Sequence, residues 1–197
     1  MAMKFNKKDE AVVKGLCRTG SMTESHLKQL GYTDSRIKNR SCGEQKLIER
    51  IGRDCKTGEN VYRLTEAGKE QGARLGIDRA DQYRGQGKEK TMNFQHDRKL
   101  ADVYCSLREE ERDMWKTEEQ YKREIEEVRE HIRVHEPERW ESEVKDVKMT
   151  AFDGGYVDAQ GQEHYIEVIT ESYDGKMIAS KEASAEMLGG SYNSYNA

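Results

Sequence analysis

The chain has 197 residues, of which 34% are hydrophobic and 37% charged. A core drawn from so few apolar residues is thin, and two small modules fit it better than one large enzyme-like globule. No run approaches the ~18 apolar residues of a membrane span, and MAMKFNKKDE lacks the apolar stretch of a signal peptide, so a soluble cytoplasmic protein is expected. Cys17, Cys42, Cys55 and Cys105 show no CxxC spacing, which favours reduced thiols over a disulfide framework or a zinc knuckle. The net charge of −4 hides an asymmetry: residues 1–76 carry sixteen Lys/Arg against ten Asp/Glu, and residues 105–197 carry twelve against twenty-three. A basic front end on an acidic chain points to a polyanion met by the N-terminal part.

In chain order, Ala11, Val12, Leu16 and Cys17 form one stripe of a helix that ends between Gly15 and Gly20. Ser21 with Glu24 has the spacing of a capping box, opening a second helix that carries Leu27 and Leu30 and stops at Gly31. Thr33 is the expected N-cap of a third helix running to about Gln45, with Ile37 facing inward. Leu47 to Ile51 and Val61 to Leu64 predict two strands around the polar turn Lys56-Thr57-Gly58-Glu59-Asn60. Thr65 then caps a helix through Ala67 and Leu75.

Three helices followed by a two-stranded hairpin, written as GYTDSRIKNRSCGEQKLIER and GENVYRLTEAGKE, resemble the winged helix-turn-helix module of bacterial regulators and mobile-element proteins. The resemblance implies that the third helix enters the major groove and that the hairpin turn touches the backbone nearby. It assigns Thr33, Ser35, Arg36, Lys38, Asn39 and Arg40 to the reading helix and Lys56 to the wing. The chemistry fits, because Arg can donate two bonds to guanine, Asn can pair with adenine, and Ser, Thr and Lys hold phosphates. Cys42 stands where a larger aliphatic usually packs, and Gly43 weakens the back of the helix by about 1 kcal/mol relative to Ala.

Residues 77–92 lack apolar periodicity and read as a linker, with Gly85-Gln86-Gly87 as turn glycines. Phe94, Leu100, Val103, Tyr104 and Leu107 suit one helix face. Thr117 with Gln120 forms another capping box, and Tyr121, Ile125, Val128 and Ile132 mark a helix from Glu118 to about His135, ended by Pro137. His131 and His135 stand four apart with Glu127 nearby, a spacing able to grip a metal, although a solvated charged face is the expectation. Residues 146–158 and 164–170 read as strands, with Asp153-Gly154-Gly155 as a turn, followed by a helix from about Lys176 to Leu188. The expected fold is α+β: a winged helix over 1–76, a linker over 77–92, an acidic α/β domain over 93–188 and a flexible tail over 189–197.

The whole arrangement, a winged helix, then QHDRKLADVY, then a strand pair ending in YIEVITESY and a Lys-containing helix, resembles the replication-relaxation family of plasmid, phage and conjugative-element accessory proteins. His96-Asp97, Glu167-Val168 and Lys181 carry the likeness, which implies a second domain similar to a degenerate restriction-endonuclease fold. A metal-dependent nuclease needs an acid, a second acid on the next strand and a lysine. Asp153 or Asp158 could supply the first and Glu167 the second, but Ile169 occupies the usual lysine position, leaving Lys176 or Lys181 to reach in. The resulting expectation is a non-enzymatic, sequence-specific duplex-DNA-binding accessory or regulatory protein, needing no cofactor or metal and free of membrane association. Its partners would be a relaxase, a replication initiator or a second copy of itself. The alternatives are a nuclease built on Asp153, Asp158, Glu167 and Lys181, or a protein-only adaptor or inhibitor.

Overall fold

A computed structural model describes residues 4–43, 46–83, 94–171 and 173–197. The chain is mixed α and β, with two sheets, and divides into two compact units, Met1–Arg112 and Asp113–Ala197. Among the described residues no helix is long and apolar enough to cross a membrane.

The first unit opens with α1 (Lys7–Thr19), whose N-cap Asn6 accepts from the amides of Lys8 and Asp9. Then come β1 (Ser21–Thr23), α2 (Glu24–Gln29), α3 (Asp34–Ser41), β2 (Ile48–Arg53), β3 (Asn60–Leu64) and α4 (Glu66–Arg74). α5 (Phe94–Ser106) and the short α6 (Glu109–Asp113), at which the unit ends, complete it. The three strands form one antiparallel sheet in the order β1-β3-β2. Val12, Val13, Leu16, Leu27, Ile37, Ile48, Leu64 and Leu100 fill the core between sheet and helices.

Several expectations shift here. Ser21 lies in β1 rather than at a helix cap, and its hydroxyl donates to Asp97; Thr23 caps α2, paired with His26. α3 stops at Ser41, and Cys42 is exposed rather than packed, with Gly43 at φ +83° beyond it. Residues 44 and 45, where that helix was expected to end, lie outside the described residues. Residues 77–83 fold onto the unit rather than linking: the Tyr83 amide donates to the Cys17 carbonyl at 2.7 Å, and the Gln82 side chain donates to the carbonyls of Lys69 and Ile77. The rest of the expected linker, with Gly85-Gln86-Gly87, lies outside the described residues. α5 belongs to the first unit and not to the second. It is tied down by Asp97 to Ser21, by Asp102 to His26 at 2.8 Å, and by Arg98 to the buried Asp54 at 3.1 Å.

The second unit contains β4 (Lys116–Thr117), α7 (Glu118–His135), a helical turn α8 (Pro137–Arg139) that widens into a π turn over Trp140–Val144, β5 (Gly154–Val157), β6 (Glu163–Ile169), α9 (Gly175–Leu188) and β7 (Ser191–Asn196). The predicted capping box opens α7, where the Thr117 amide donates to Gln120 Oε1 at 2.9 Å. The sheet order is β4-β5-β6-β7, antiparallel except for β6 and β7, which run parallel. The segment expected to be a loose tail is therefore largely a paired strand, Ile166 opposite Asn193 and Glu167 opposite Ser194. Tyr121, Ile125, Phe152, Tyr165 and Ala185 form the core, with Phe152 stacked on Tyr165 at 4.3 Å. Gly154 and Gly155 are strand residues, not a turn. A Cβ on Gly154 would meet the Trp115 ring, and one on Gly155 would meet the Tyr121 hydroxyl and the His164 carbonyl.

Candidate functional site

Two constellations hold most of the residues singled out by the sequence, one in each unit. In the first, α3 is set by Thr33, whose hydroxyl accepts the Arg36 amide, and by Ile37, buried beneath it. Thr33, Ser35, Lys38 and Asn39 are exposed, as is Lys56 in the turn between β2 and β3. That turn is an Asx arrangement: Asp54 Oδ1 accepts from the amides of Lys56 at 2.7 Å and Thr57 at 2.9 Å, while Arg98 meets its other oxygen. Arg50 and Arg53 are exposed on β2.

Arg36 and Arg40 do not share that exposure. Both turn back to Asp9 of α1, which is fully buried. Each guanidinium reaches both carboxylate oxygens, with Nε to Oδ1 at 3.0 Å in both cases. Tyr32 donates its hydroxyl to Oδ1 at 2.8 Å, and the Asn6 amide donates to Oδ2 at 3.1 Å. Burial alone would raise the Asp9 carboxyl, but the bonds from Arg40, Arg36 and Tyr32 outweigh it and hold the group below its ordinary range. The same environment, burial first and the Asp9 charge second, pushes the Tyr32 phenol up. One buried carboxylate thus joins the first helix of the unit to two turns of α3 through fork-shaped, charge-assisted bonds. Composition and periodicity did not single out Asp9, whose partners lie roughly thirty residues on.

In the second unit, Asp153, immediately before β5, faces Glu167 of β6 and Lys181 of α9, all three buried. Lys181 Nζ lies 2.8 Å from Glu167 Oε2 and also donates to the Ala151 carbonyl. The Asp153 amide donates to the same Glu167 oxygen at 3.3 Å, Asp153 Oδ2 accepts from the Val168 amide at 2.8 Å, and Tyr173 donates its hydroxyl to Glu167 Oε1. Burial, with the Asp153 charge beside it, pushes the Glu167 carboxyl up to about 7, against the pull of Lys181 and Tyr173. Asp158 is elsewhere: it caps the β5–β6 turn, accepting from the amides of Gln160 and Gln162 and meeting His164 Nε2 at 2.9 Å. That His164 contact, followed by the Gln162 amide, holds its carboxyl below the usual range.

Three of the four residues named for the alternative nuclease therefore converge, with the lysine reaching in from the following helix rather than from the strand. As a metal site the cluster offers two carboxylates whose described oxygens mostly carry protein partners, and among the described residues no three His, Cys, Asp or Glu groups are placed to hold an ion. As it stands, it ties β5, β6 and α9 together. The four cysteines are free thiols; burial pushes Cys17 and Cys105 up to about 12, whereas Cys42 and Cys55 are exposed. Comparison with family models, curated proteins and solved structures found no match to this chain.

Proposed function

We propose that the first unit is a winged helix-turn-helix that binds duplex DNA through α3, and that the chain acts as a DNA-binding accessory or regulatory protein of a bacterial mobile element. The observation that carries this reading is the sidedness of α3. Ser35, Lys38 and Asn39 are exposed, while Ile37, Arg36 and Arg40 turn toward the unit and brace the helix from behind. In this assignment Asn39 pairs with a base edge, Ser35 and Lys38 contact phosphates or bases, and Lys56 touches the backbone from the hairpin turn. Arg36 and Arg40 move from base readers to helix braces. The second unit, a degenerate restriction-endonuclease-like scaffold, carries the chain's acidic surplus and recruits a protein such as a relaxase or a replication initiator. A homodimer would cover two half-sites.

The test is binding of a labelled random-sequence duplex over a salt series. Wild type should bind with an affinity that falls steeply as salt rises, and Lys38→Ala should lower the log–log salt slope by about 1. Lys38→Ala/Asn39→Ala should lose affinity while keeping the wild-type fold. Equal binding by that double variant, or no binding at low salt, would sink the reading.

A second reading rests on the 2.8 Å contact of Lys181 with Glu167 beside Asp153. A nuclease could bind a divalent ion on the two carboxylates and use the lysine to steady developing charge. It predicts magnesium-dependent nicking of supercoiled plasmid that Glu167→Ala abolishes. Intact plasmid after prolonged incubation with wild type would remove it.

A further inference from the structure

His131 and His135 lie one turn apart on α7, both exposed, with ring centres 4.6 Å apart. Among the described contacts neither ring engages a hydrogen bond or an ion pair, and each touches the other. Imidazoles four residues apart on a helix project from the same side, the spacing by which helical metal sites present two nitrogens to one ion. An ion ~2.1 Å from each nitrogen would set the two ring centres roughly 4.6 Å apart for a right angle between the bonds and roughly 5.3 Å apart for the tetrahedral angle. The observed 4.6 Å matches the right-angle case. Glu127, exposed one turn before His131, is not placed as a third ligand, and Glu130 is held in place by Arg133.

We infer that His131 and His135 form a two-nitrogen chelate for a borderline transition-metal ion such as Ni²⁺, Cu²⁺ or Zn²⁺, its remaining positions filled by water. Imidazole ligands select these ions over Mg²⁺ and Ca²⁺, which demand oxygen donors. The site is separate from both constellations described above and stands whether or not α3 binds DNA. The molecule's other histidines do not compete for it: His26 and His96 are buried, and His164 is paired with Asp158.

The experiment uses the full chain carrying Cys42→Ser/Cys55→Ser, so that the exposed thiols do not bind the probe. Calorimetric titration with NiCl₂ should give one ion per chain, and an excess of MgCl₂ should not displace it. His131→Ala and His135→Ala should each weaken binding at least tenfold, with unchanged far-UV circular dichroism, since neither side chain is buried. Undiminished affinity in the double variant, loss in only one single variant, or no saturable binding below ~1 mM, the weak end of specific association, would overturn the assignment.

Discussion

Asp9→Asn is the substitution that most directly probes how α3 is held. It leaves a side chain of the same shape that can still accept from Tyr32 or the Asn6 amide, but it removes the charge facing two guanidiniums. The Arg40 side chain is 6% exposed and that of Arg36 16%, so one cation stays buried while the other can swing toward water. Removing one partner of a buried ion pair typically costs ~3–5 kcal/mol. The partial escape of Arg36 puts the expectation at the low end, about 3 kcal/mol, or roughly 13 °C in the melting temperature of a unit this size. Both tryptophans, Trp115 and Trp140, lie in the second unit, so fluorescence does not report this loss. Amide hydrogen exchange in α1 and α3 does, and it should accelerate in the variant while α7 keeps its protection. The sign with pH is also defined. The Asp9 carboxyl lies below its ordinary 3.8 in the folded chain, so its contribution is full above that value and is lost as pH falls through the lower folded value. The gap between wild type and Asp9→Asn should therefore narrow below about pH 4. A variant within ~0.5 kcal/mol of wild type at neutral pH, or a gap that ignores pH, would refute the account of Asp9 as the brace of α3.

Two further outcomes concern the second unit. Burial raises the Glu167 carboxyl from 4.5 to about 7, so its contribution is full below the unfolded value and is lost as pH rises through the folded one. Urea midpoints read by tryptophan fluorescence should fall between about pH 5 and pH 8 in wild type and stay level in Glu167→Gln; parallel slopes would remove Glu167 as the titrating group. Gly155→Ala drives a methyl into the Tyr121 hydroxyl and the His164 carbonyl, an overpacking that should cost about 2 kcal/mol or more; an unchanged urea midpoint would contradict that packing.

Local rules located most of the helices and missed three strands, β1, the two-residue β4 and β7, for identifiable reasons. α7 was legible to its ends because a capping box opens it and Tyr121, Ile125 and Ile132 repeat at helical steps into a buried face. β1 is three residues, Ser21–Thr23, too short for any alternation to register, and is defined by pairing with β3 forty residues away. β7, Ser191–Asn196, offers the core only Tyr192 from a polar, weakly alternating run; its order comes from the parallel ladder on β6, which no local pattern announces. The sidedness of α3 was recoverable. At about 100° per residue, Ser35 and Asn39 lie nearly opposite Ile37, whereas Arg40 falls about 60° from it. What the spacing did not supply is the counter-charge, because Asp9 sits on another helix and is brought there by tertiary packing. The same holds for Lys181, whose reach to Glu167 depends on how α9 lies across the sheet.

The segregation of α3 into two sides bears on how the protein can change. Ser35, Lys38 and Asn39 contribute little to folding because they face water, so exchanging them should cost within ~0.5 kcal/mol. Ile37, Arg36 and Arg40 hold the helix and tolerate few replacements. Variation can therefore accumulate on the outer positions without eroding the scaffold. A library randomised at residues 35, 38 and 39 would sample new surfaces on an intact fold, whereas one that included 36 or 40 would be enriched in destabilised chains.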